Sequence, residues 1–338
     1  MTYYCGLDVS LQETFVTIIN QNGTKYKEKT LPSDPNLIAQ YLNKLNINLK
    51  LVALESGQLS INMCHVLKQH HINVICVDAR HMATLLKAQN INKNDKNDSL
   101  GIATMIKAGL YKEVAIKSHK SCQIQVLLRS RRQLVETKLK LQSTIRGLLK
   151  IYGIKLPLRS DFDKSQVLGL LDSSAEDSIL SISSLLDSVR FLRKKLCILD
   201  ERICDISRQD EDCILLETIP GVGPITALTY KSSLDNYDRF SRSCSVGAYM
   251  GLTPRQYSSG EIDRKGSISK RGPSECRTML YEASQTLIMR SKKNFKLRFF
   301  GLRLMKKKGS KKAIVAVARR LSVIMHRMLI DRTEFIYS

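Results

Sequence analysis

The sequence predicts a fold of the α/β plus all-α class, in which an α/β domain precedes a mainly helical remainder. Up to about residue 115, short apolar runs rich in β-branched residues alternate with amphipathic helical segments. Beyond that point leucines recur at heptad spacing, and a glycine-rich turn between apolar segments follows. With 338 residues the chain can form several cores. We therefore expect three parts, at 1–115, 116–210 and 211–338.

The N-terminal part begins with a hairpin. Residues 3–10 predict a first strand, 14–19 a second, and Asn22-Gly23 a tight turn into a third at 24–31. Pro35 opens a helix, and a strand ending at Glu55, a helix and a strand ending at Asp78 follow. A hairpin-led, mixed sheet with alternating helices is expected of a ribonuclease-H-like domain.

The middle part contains two heptad series. The first is Leu127, Leu134, Leu141 and Leu148, and the second is Leu185, Val189, Leu192, Leu196, Leu199, Ile203 and Ile206. The alternating steps of four and three in the second series are typical of a coiled coil. The two helices form either a hairpin within the chain or a coiled coil with another copy of it.

The C-terminal part starts with Ile219-Pro220-Gly221-Val222-Gly223-Pro224 inside an apolar frame. This pattern indicates the hairpin of a helix-hairpin-helix, in which Gly221 and Gly223 allow a tight turn that presents backbone amides to a phosphate. Such a motif binds the nucleic-acid backbone rather than a base sequence. A plain Pro-Gly turn between two helices is the alternative.

Charge points to a polyanionic partner. The formal net charge is +23, and 290–312 contains eleven basic residues and no acid, with Lys306, Lys307 and Lys308 in succession. Nucleic acid is the usual partner of such a chain. No apolar run is long enough to cross a membrane, and the nine cysteines form neither a CxxC motif nor a zinc-finger spacing. We expect a soluble, cytoplasmic protein without a membrane partner.

Four acids are the candidate metal ligands. Asp8 and Glu55 end predicted strands, and Asp95 and Asp98 lie on one face at the start of a predicted helix. Carboxylates that converge in one cleft can hold divalent cations that clamp the oxygens of a phosphoryl transfer. Taken singly, each acid is equally compatible with an ordinary strand end or helix cap.

A second candidate site is the pair Ser258 and Ser259, which precedes Gly260 in a turn-rich stretch. Cations surround the pair in sequence, namely Arg255, Arg264, Lys265, Lys270 and Arg271. A serine hydroxyl among cations can act as a nucleophile on a phosphate. The local sequence contains no His to act as the base of a serine-protease site, and a flexible loop is the alternative.

These segments together resemble the DEDD-motif insertion-sequence transposases, the family that includes the Piv invertase and the bridge-RNA-guided recombinases. The resemblance spans essentially the whole chain. Its motifs are Gly6-Leu7-Asp8-Val9-Ser10, Glu55-Ser56, Asp95-Lys96-Asn97-Asp98, Pro220-Gly221-Val222-Gly223, Gly251-Leu252-Thr253-Pro254-Arg255-Gln256, Ser258-Ser259-Gly260 and Ile268-Ser269-Lys270-Arg271-Gly272.

The resemblance implies a RuvC-like domain in which Asp8, Glu55, Asp95 and Asp98 bind Mg²⁺. It also implies a coiled coil and a transposase domain whose nucleophile is Ser259, with Ser258 as the alternative. Members of the family act on donor and target DNA, are guided by an RNA encoded by the element, and assemble as tetramers that pair the acids of one protomer with the serine of another. For this chain the resemblance implies a homo-oligomer, a dimer or a tetramer. The residues expected to contact nucleic acid are Gly221, Gly223, Arg255, Lys270, Arg271, Arg277, Lys306, Lys307 and Lys308.

Three other functions are compatible with the sequence. The first is a RuvC-like, metal-dependent DNA junction nuclease in which the acids activate water. The second is a nucleotide-binding protein of the sugar-kinase and actin type, although no later glycine-rich phosphate loop is evident. The third is a nucleic-acid-binding protein without catalytic activity, in which substitution of the acids would change nothing.

Overall fold

The computed structural model describes residues 1–80, 82, 84, 95–157, 163–259 and 262–337, and describes only the backbone at 95, 96, 257–259 and 262–265. The chain divides into two compact units, Met1–Lys117 and Ser118–Ser338. The predicted three-part division at 115 and 210 stays a prediction. Within the described ranges, no helix is both long enough and apolar enough to cross a membrane.

The first unit is built on a five-stranded mixed sheet. Its strands are β1 (Thr2–Val9), β2 (Glu13–Asn20), β3 (Lys25–Pro32), β4 (Asn48–Glu55) and β5 (Val74–Val77), in the order β3-β2-β1-β4-β5. The β1-β2 and β2-β3 pairs are antiparallel, whereas β1-β4 and β4-β5 are parallel. A hairpin-led sheet continued by parallel strands is the ribonuclease-H-like arrangement, so the predicted fold class is confirmed.

Helices cover both faces of this sheet. They are α1 (Pro35–Lys44), α2 (Ser60–Gln69) and α3 (Asp95–Lys107). On one face of the sheet, residues of α1 and α2 form a core with Leu7 and Leu54. On the other face, Ala53 packs with Ile102 of α3. Because successive residues of a strand point to opposite faces, the strand positions in phase with Ala53 face α3.

Two long helices begin the second unit, α4 (His119–Leu149) and α6 (Glu176–Arg208), with the short α5 (Lys164–Leu168) between them. They pack antiparallel within the chain, because the end of α4 shares a cluster with the start of α6, and Arg131 near the middle of α4 pairs with Asp200. The heptad residues Val189, Leu196 and Ile203 are buried. The hairpin interpretation therefore describes this chain, and pairing with another copy stays a prediction.

The rest of the second unit forms one large helical core. Its helices are α7 (Glu211–Glu217), α8 (Pro224–Leu234), α9 (Cys244–Tyr249), α10 (Ser274–Arg290), α11 (Lys296–Lys308) and α12 (Ser310–Asp331). A two-stranded antiparallel hairpin, β6 (Pro254–Ser259) and β7 (Ile262–Ile268), is inserted between α9 and α10. Helices α7 and α8 flank the Ile219–Gly223 turn, as expected of a helix-hairpin-helix.

Candidate functional site

Asp8 and Glu55 lie side by side at the carboxyl ends of two neighbouring parallel strands. The last paired residues of β1 and β4 are Leu7 and Leu54, and each acid follows its leucine directly. Adjacent strands are about 4.8 Å apart, and both acids are in phase with Ala53, which packs on the α3 face. The sheet thus places two carboxylates together on the α3 side.

Helix α3 is held against β1 by a close backbone contact at Gly6. A Cβ atom at Gly6 would lie 2.1 Å from the carbonyl oxygen of Ser99 and 2.7 Å from the backbone nitrogen of Ala103. Only glycine permits this approach, because the atoms that a Cβ would overlap belong to the backbone and cannot move aside as a flexible side chain could. Gly6, two residues before Asp8, thus fixes the depth at which α3 sits.

The same helix is attached to β2 by a buried hydrogen bond. The hydroxyls of Ser99 and Thr17 are 2.7 Å apart, and Thr17 pairs with Gly6 across the β1-β2 ladder. Further along α3, Ile102 and Ile106 share a cluster with Tyr4. The helix therefore runs antiparallel to β1, and its first turn, with Asp98, lies towards the strand end that bears Asp8.

We predict that Thr17→Val lowers the free energy of unfolding by roughly 0.5–1.5 kcal/mol. Valine keeps nearly the shape of threonine at position 17, but the buried Ser99 hydroxyl loses its hydrogen bond to that residue. Denaturant unfolding of the single variants and of Thr17→Val with Ser99→Ala would measure the coupling. If the free-energy losses of Thr17→Val and Ser99→Ala simply add in the double variant, the hydrogen bond does not hold α3 on the sheet.

The carboxylates offer the oxygen donors that a hard divalent cation prefers. Asp8, Glu55 and Asp98 are all partly exposed, and the side chain of Asp95 lies outside the described residues. Among the described side chains, no group of three or more His, Cys, Asp or Glu is assembled in a metal-binding arrangement. The donor chemistry fits such a cation, and the ligand set of four stays a prediction.

Asp78 is an acid that the sequence analysis did not select. It directly follows β5, whose last residue Val77 pairs with Glu55, so it lies at the same edge of the sheet but in phase with Cys76, which packs on the α1 and α2 face. Its Oδ1 accepts a hydrogen bond of 2.9 Å from the backbone N–H of Arg80. The strand-end position was visible in sequence, but only the strand order shows that β5 lies next to β4, the strand that ends at Glu55.

The predicted serines lie at the end of the β6-β7 hairpin. Ser258 pairs with Asp263 and Ser259 with Ile262, which places both beside the tip. The tip residues Gly260 and Glu261 and the two serine side chains lie outside the description. The sequence indicated a turn-rich loop here, and the described backbone is instead a two-stranded ladder, with a register shift between Pro254 and Gln256, that carries the serines beside its tip.

Two glycines and one arginine fix the base of this hairpin. Gly251 and Gly272 have φ of +69° and +85°, and a Cβ on either would lie 2.0 Å or less from a carbonyl oxygen, of Arg271 and Tyr249 respectively. Arg277 donates from Nη1 to the carbonyl oxygen of Met250 at 3.0 Å. Burial lowers the pKa of the Arg277 guanidinium. The two chain segments that flank the hairpin are therefore packed closely against each other at its base.

Comparison with known proteins decides the family. Residues 5–154 match a transposase model of the DEDD IS110 type, and residues 213–299 match the model described as "Transposase IS116/IS110/IS902 family". The transposase for insertion sequence element IS1111A of Coxiella burnetii is 30% identical over 261 residues, which cover 75% of this chain and 70% of the relative. The chain belongs to the IS116/IS110/IS902 transposase family.

Other similar proteins agree with this assignment. The transposase for insertion sequence element IS1328 of Yersinia enterocolitica is 27% identical, over 71% of each chain. Among solved structures, Thermus thermophilus RuvC in complex with a Holliday junction substrate gives a TM-score of 0.28 at 10% identity, covering 34% of this chain and 100% of that one. The strand order, and not this weak likeness, carries the fold assignment. The predicted family and enzyme class, a DNA transposase or recombinase, are confirmed.

The predicted nucleic-acid contacts of the transposase fall into two groups. Arg255, Lys270, Arg271 and Lys306–Lys308 are exposed, the last three in the final turn of α11. Gly221, with φ of +88°, instead approaches α10, where a Cβ would lie 2.7 Å from the carbonyl oxygen of Ala283. Arg277 is half-buried, and its Nη1 donates to the carbonyl oxygens of Met250 and Arg271. Their roles in binding stay predictions.

Proposed function

We propose that this transposase cleaves and exchanges DNA strands with Ser259 as the nucleophile and Asp8, Glu55, Asp95 and Asp98 as ligands of Mg²⁺. The observation that supports the acid part is the register of β1 and β4, which sets Asp8 beside Glu55 on the side covered by α3. The position of Ser259 beside the tip of the β6-β7 hairpin supports the serine part.

In the proposed reaction, the Ser259 hydroxyl oxygen attacks a DNA phosphorus. A bond forms between that oxygen and phosphorus, the bond from phosphorus to the 3′-oxygen breaks, and the serine proton passes to the leaving 3′-oxygen. A 5′-phosphoserine and a free 3′-hydroxyl result, and attack by another 3′-hydroxyl reverses the step. The phosphodiester energy is retained in the covalent link, so the exchange needs no nucleotide cofactor.

A bound divalent cation would withdraw charge from the phosphate oxygens. The carboxylates of the first unit would hold that cation. In the second unit, exposed basic residues near the hairpin, Arg255, Lys270 and Arg271, would neutralise the DNA backbone. Lys306–Lys308, exposed in the final turn of α11, would add further positive charge.

We also propose two partners beyond DNA, a guide RNA encoded by the element and further copies of this chain in a dimer or tetramer. The net charge of +23 supports binding of more than one nucleic-acid strand. Apolar side chains exposed on the long helices, including Leu139, Phe191 and Ile198, support contact with another copy. Size measurement with and without RNA would test both.

The proposal predicts a covalent protein–DNA adduct that depends on one serine. Full-length protein, element-flanking RNA, Mg²⁺ and a nicked, end-labelled DNA that traps the cleaved strand would be analysed on a denaturing gel. The labelled band should shift by the mass of the protein with wild type and with Ser258→Ala, and should be absent with Ser259→Ala.

Two other results would contradict the proposal, and each would indicate a different mechanism. Cleaved DNA without an adduct, unchanged by either serine substitution, would make the protein a RuvC-like nuclease that activates water. An adduct lost only with Ser258→Ala would move the nucleophile by one residue. Because the two serines are adjacent, each variant is the matched control for the other.

A further inference from the structure

A groove with apolar walls lies between the serine hairpin and α12. Its cavity volume is about 910 Å³, and its walls are formed by residues of the hairpin base and of the outer face of the helix, Leu252, Ile268, Val315, Val323 and Ile324. The opposite face of α12, with Val317 and Leu321, is fully buried in the core. Val315 and Ile324 also pack against this core, so the helix offers the groove a half-buried apolar strip that runs through Ala316 and Val323.

Four cations line the rim of this groove, Lys311, Lys312, Arg319 and Arg320, and no acid is among its described lining residues. The Arg320 guanidinium lies 3.5 Å from the centre of the Phe300 ring, which also lines the groove. The stem of the Arg319 side chain packs against Gly247, where a Cβ would come within 3.1 Å of the arginine Cγ. The rim is therefore partly ordered before anything binds.

This combination fits single-stranded nucleic acid. Apolar and aromatic walls contact the faces of unpaired bases, arginine planes stack on them, and the cations on the rim neutralise phosphates. The two pairs of cations are eight residues apart on α12, about 12 Å along a helix at 1.5 Å per residue. At 3.4 Å per nucleotide that span corresponds to about three or four steps of a stacked strand.

We propose that the groove binds unpaired nucleotides of the DNA strand that the serine hairpin engages. DNA is favoured because the groove is formed in part by that hairpin. Ile268 in its wall is six residues from Ile262 at the tip, about 20 Å along a strand. This identification of the occupant rests on the proposed function, whereas affinity of the groove for unpaired bases does not require that Ser259 be the nucleophile.

The test measures binding to the full chain carrying Ser259→Ala, so that no cleavage contributes. The probe is a 12-nucleotide oligodeoxythymidylate with one central 2-aminopurine. Its fluorescence emission reports whether that base is stacked, and the chain contains no tryptophan that would interfere. Ala316→Phe fills the groove. Ile330→Phe, at an exposed position later on the same helix, is the matched control.

We expect Ala316→Phe to raise the Kd for the probe at least tenfold and to remove the change in emission, with Ile330→Phe within twofold of the parent. Lys312→Glu, on the exposed rim, should also weaken binding and provides a second test if Ala316→Phe does not fold. Thermal unfolding would verify that Ala316→Phe and Lys312→Glu are folded.

Three outcomes would overturn the proposal. One is equal binding by the groove and control variants. Another is stronger competition by an RNA of the same length, which would assign the groove to RNA. The last is stronger competition by a glutamate-rich peptide, which would assign it to a protein. If the groove variants behave as expected while the serine adduct is absent, the proposed nucleophile fails and the groove remains a DNA site.

Discussion

Gly6→Ala is expected to lower the free energy of unfolding of the first unit by more than about 3 kcal/mol, beyond the usual cost of overpacking a core. The added methyl group would sit 2.1 Å from the Ser99 carbonyl oxygen, so either α3 moves outward or β1 bends. Both changes break the buried bond between Ser99 and Thr17. Displacement of α3 also carries Asp98 away from the strand end bearing Asp8.

Gly57→Ala is the matched control, because a Cβ at Gly57 meets no atom within 4 Å. It should leave the free energy of unfolding within about 0.5 kcal/mol of wild type, as is usual away from packed sites. Guanidinium unfolding would measure both variants, with limited proteolysis to assign the transition to the first unit. A Gly6→Ala protein within 1 kcal/mol of the control would show that α3 does not pack on β1 as described.

This close contact marks where prediction from sequence reached its limit. The local pattern gave the strands, the Asn22-Gly23 turn and the strand ends at Asp8 and Glu55, because alternation and turn residues act over a few positions. The need for glycine at position 6 comes from a helix more than ninety residues away. No local pattern encodes such a contact, although Gly6 was part of the motif that suggested the family.

The hairpin carrying the serines shows a second limit. Its strands are polar and charged over most of their length, so they lack the apolar alternation by which a strand is recognised, and the sequence indicated a loop. The pair of long helices is the opposite case, because its sequence pattern was recognisable but its partner was not. The heptads of α6 predicted a packed helix, but heptads do not specify whether the partner helix belongs to the same chain.

Asp8→Asn is expected to reduce strand cleavage by about 10³-fold or more while the fold is kept. A metal ion supplies several kcal/mol of charge stabilisation to a phosphoryl transfer, and each 1.36 kcal/mol is tenfold in rate. Asparagine keeps the size of the side chain but removes the charge that would hold the cation. Cleavage of labelled DNA would be measured beside titration of Mn²⁺ by calorimetry, which should show weaker binding.

Asp78→Asn is the control that separates a ligand from an acid that is only nearby. Asp78 follows the strand next to that of Glu55, and its Oδ1 accepts a hydrogen bond from Arg80, which asparagine can also accept. If general negative charge at this sheet edge promotes cleavage, both substitutions should reduce the rate to a similar extent. If Asp8 ligates the cation, only Asp8→Asn should lose both metal affinity and cleavage. Wild-type rates from Asp8→Asn would remove this residue from the metal site.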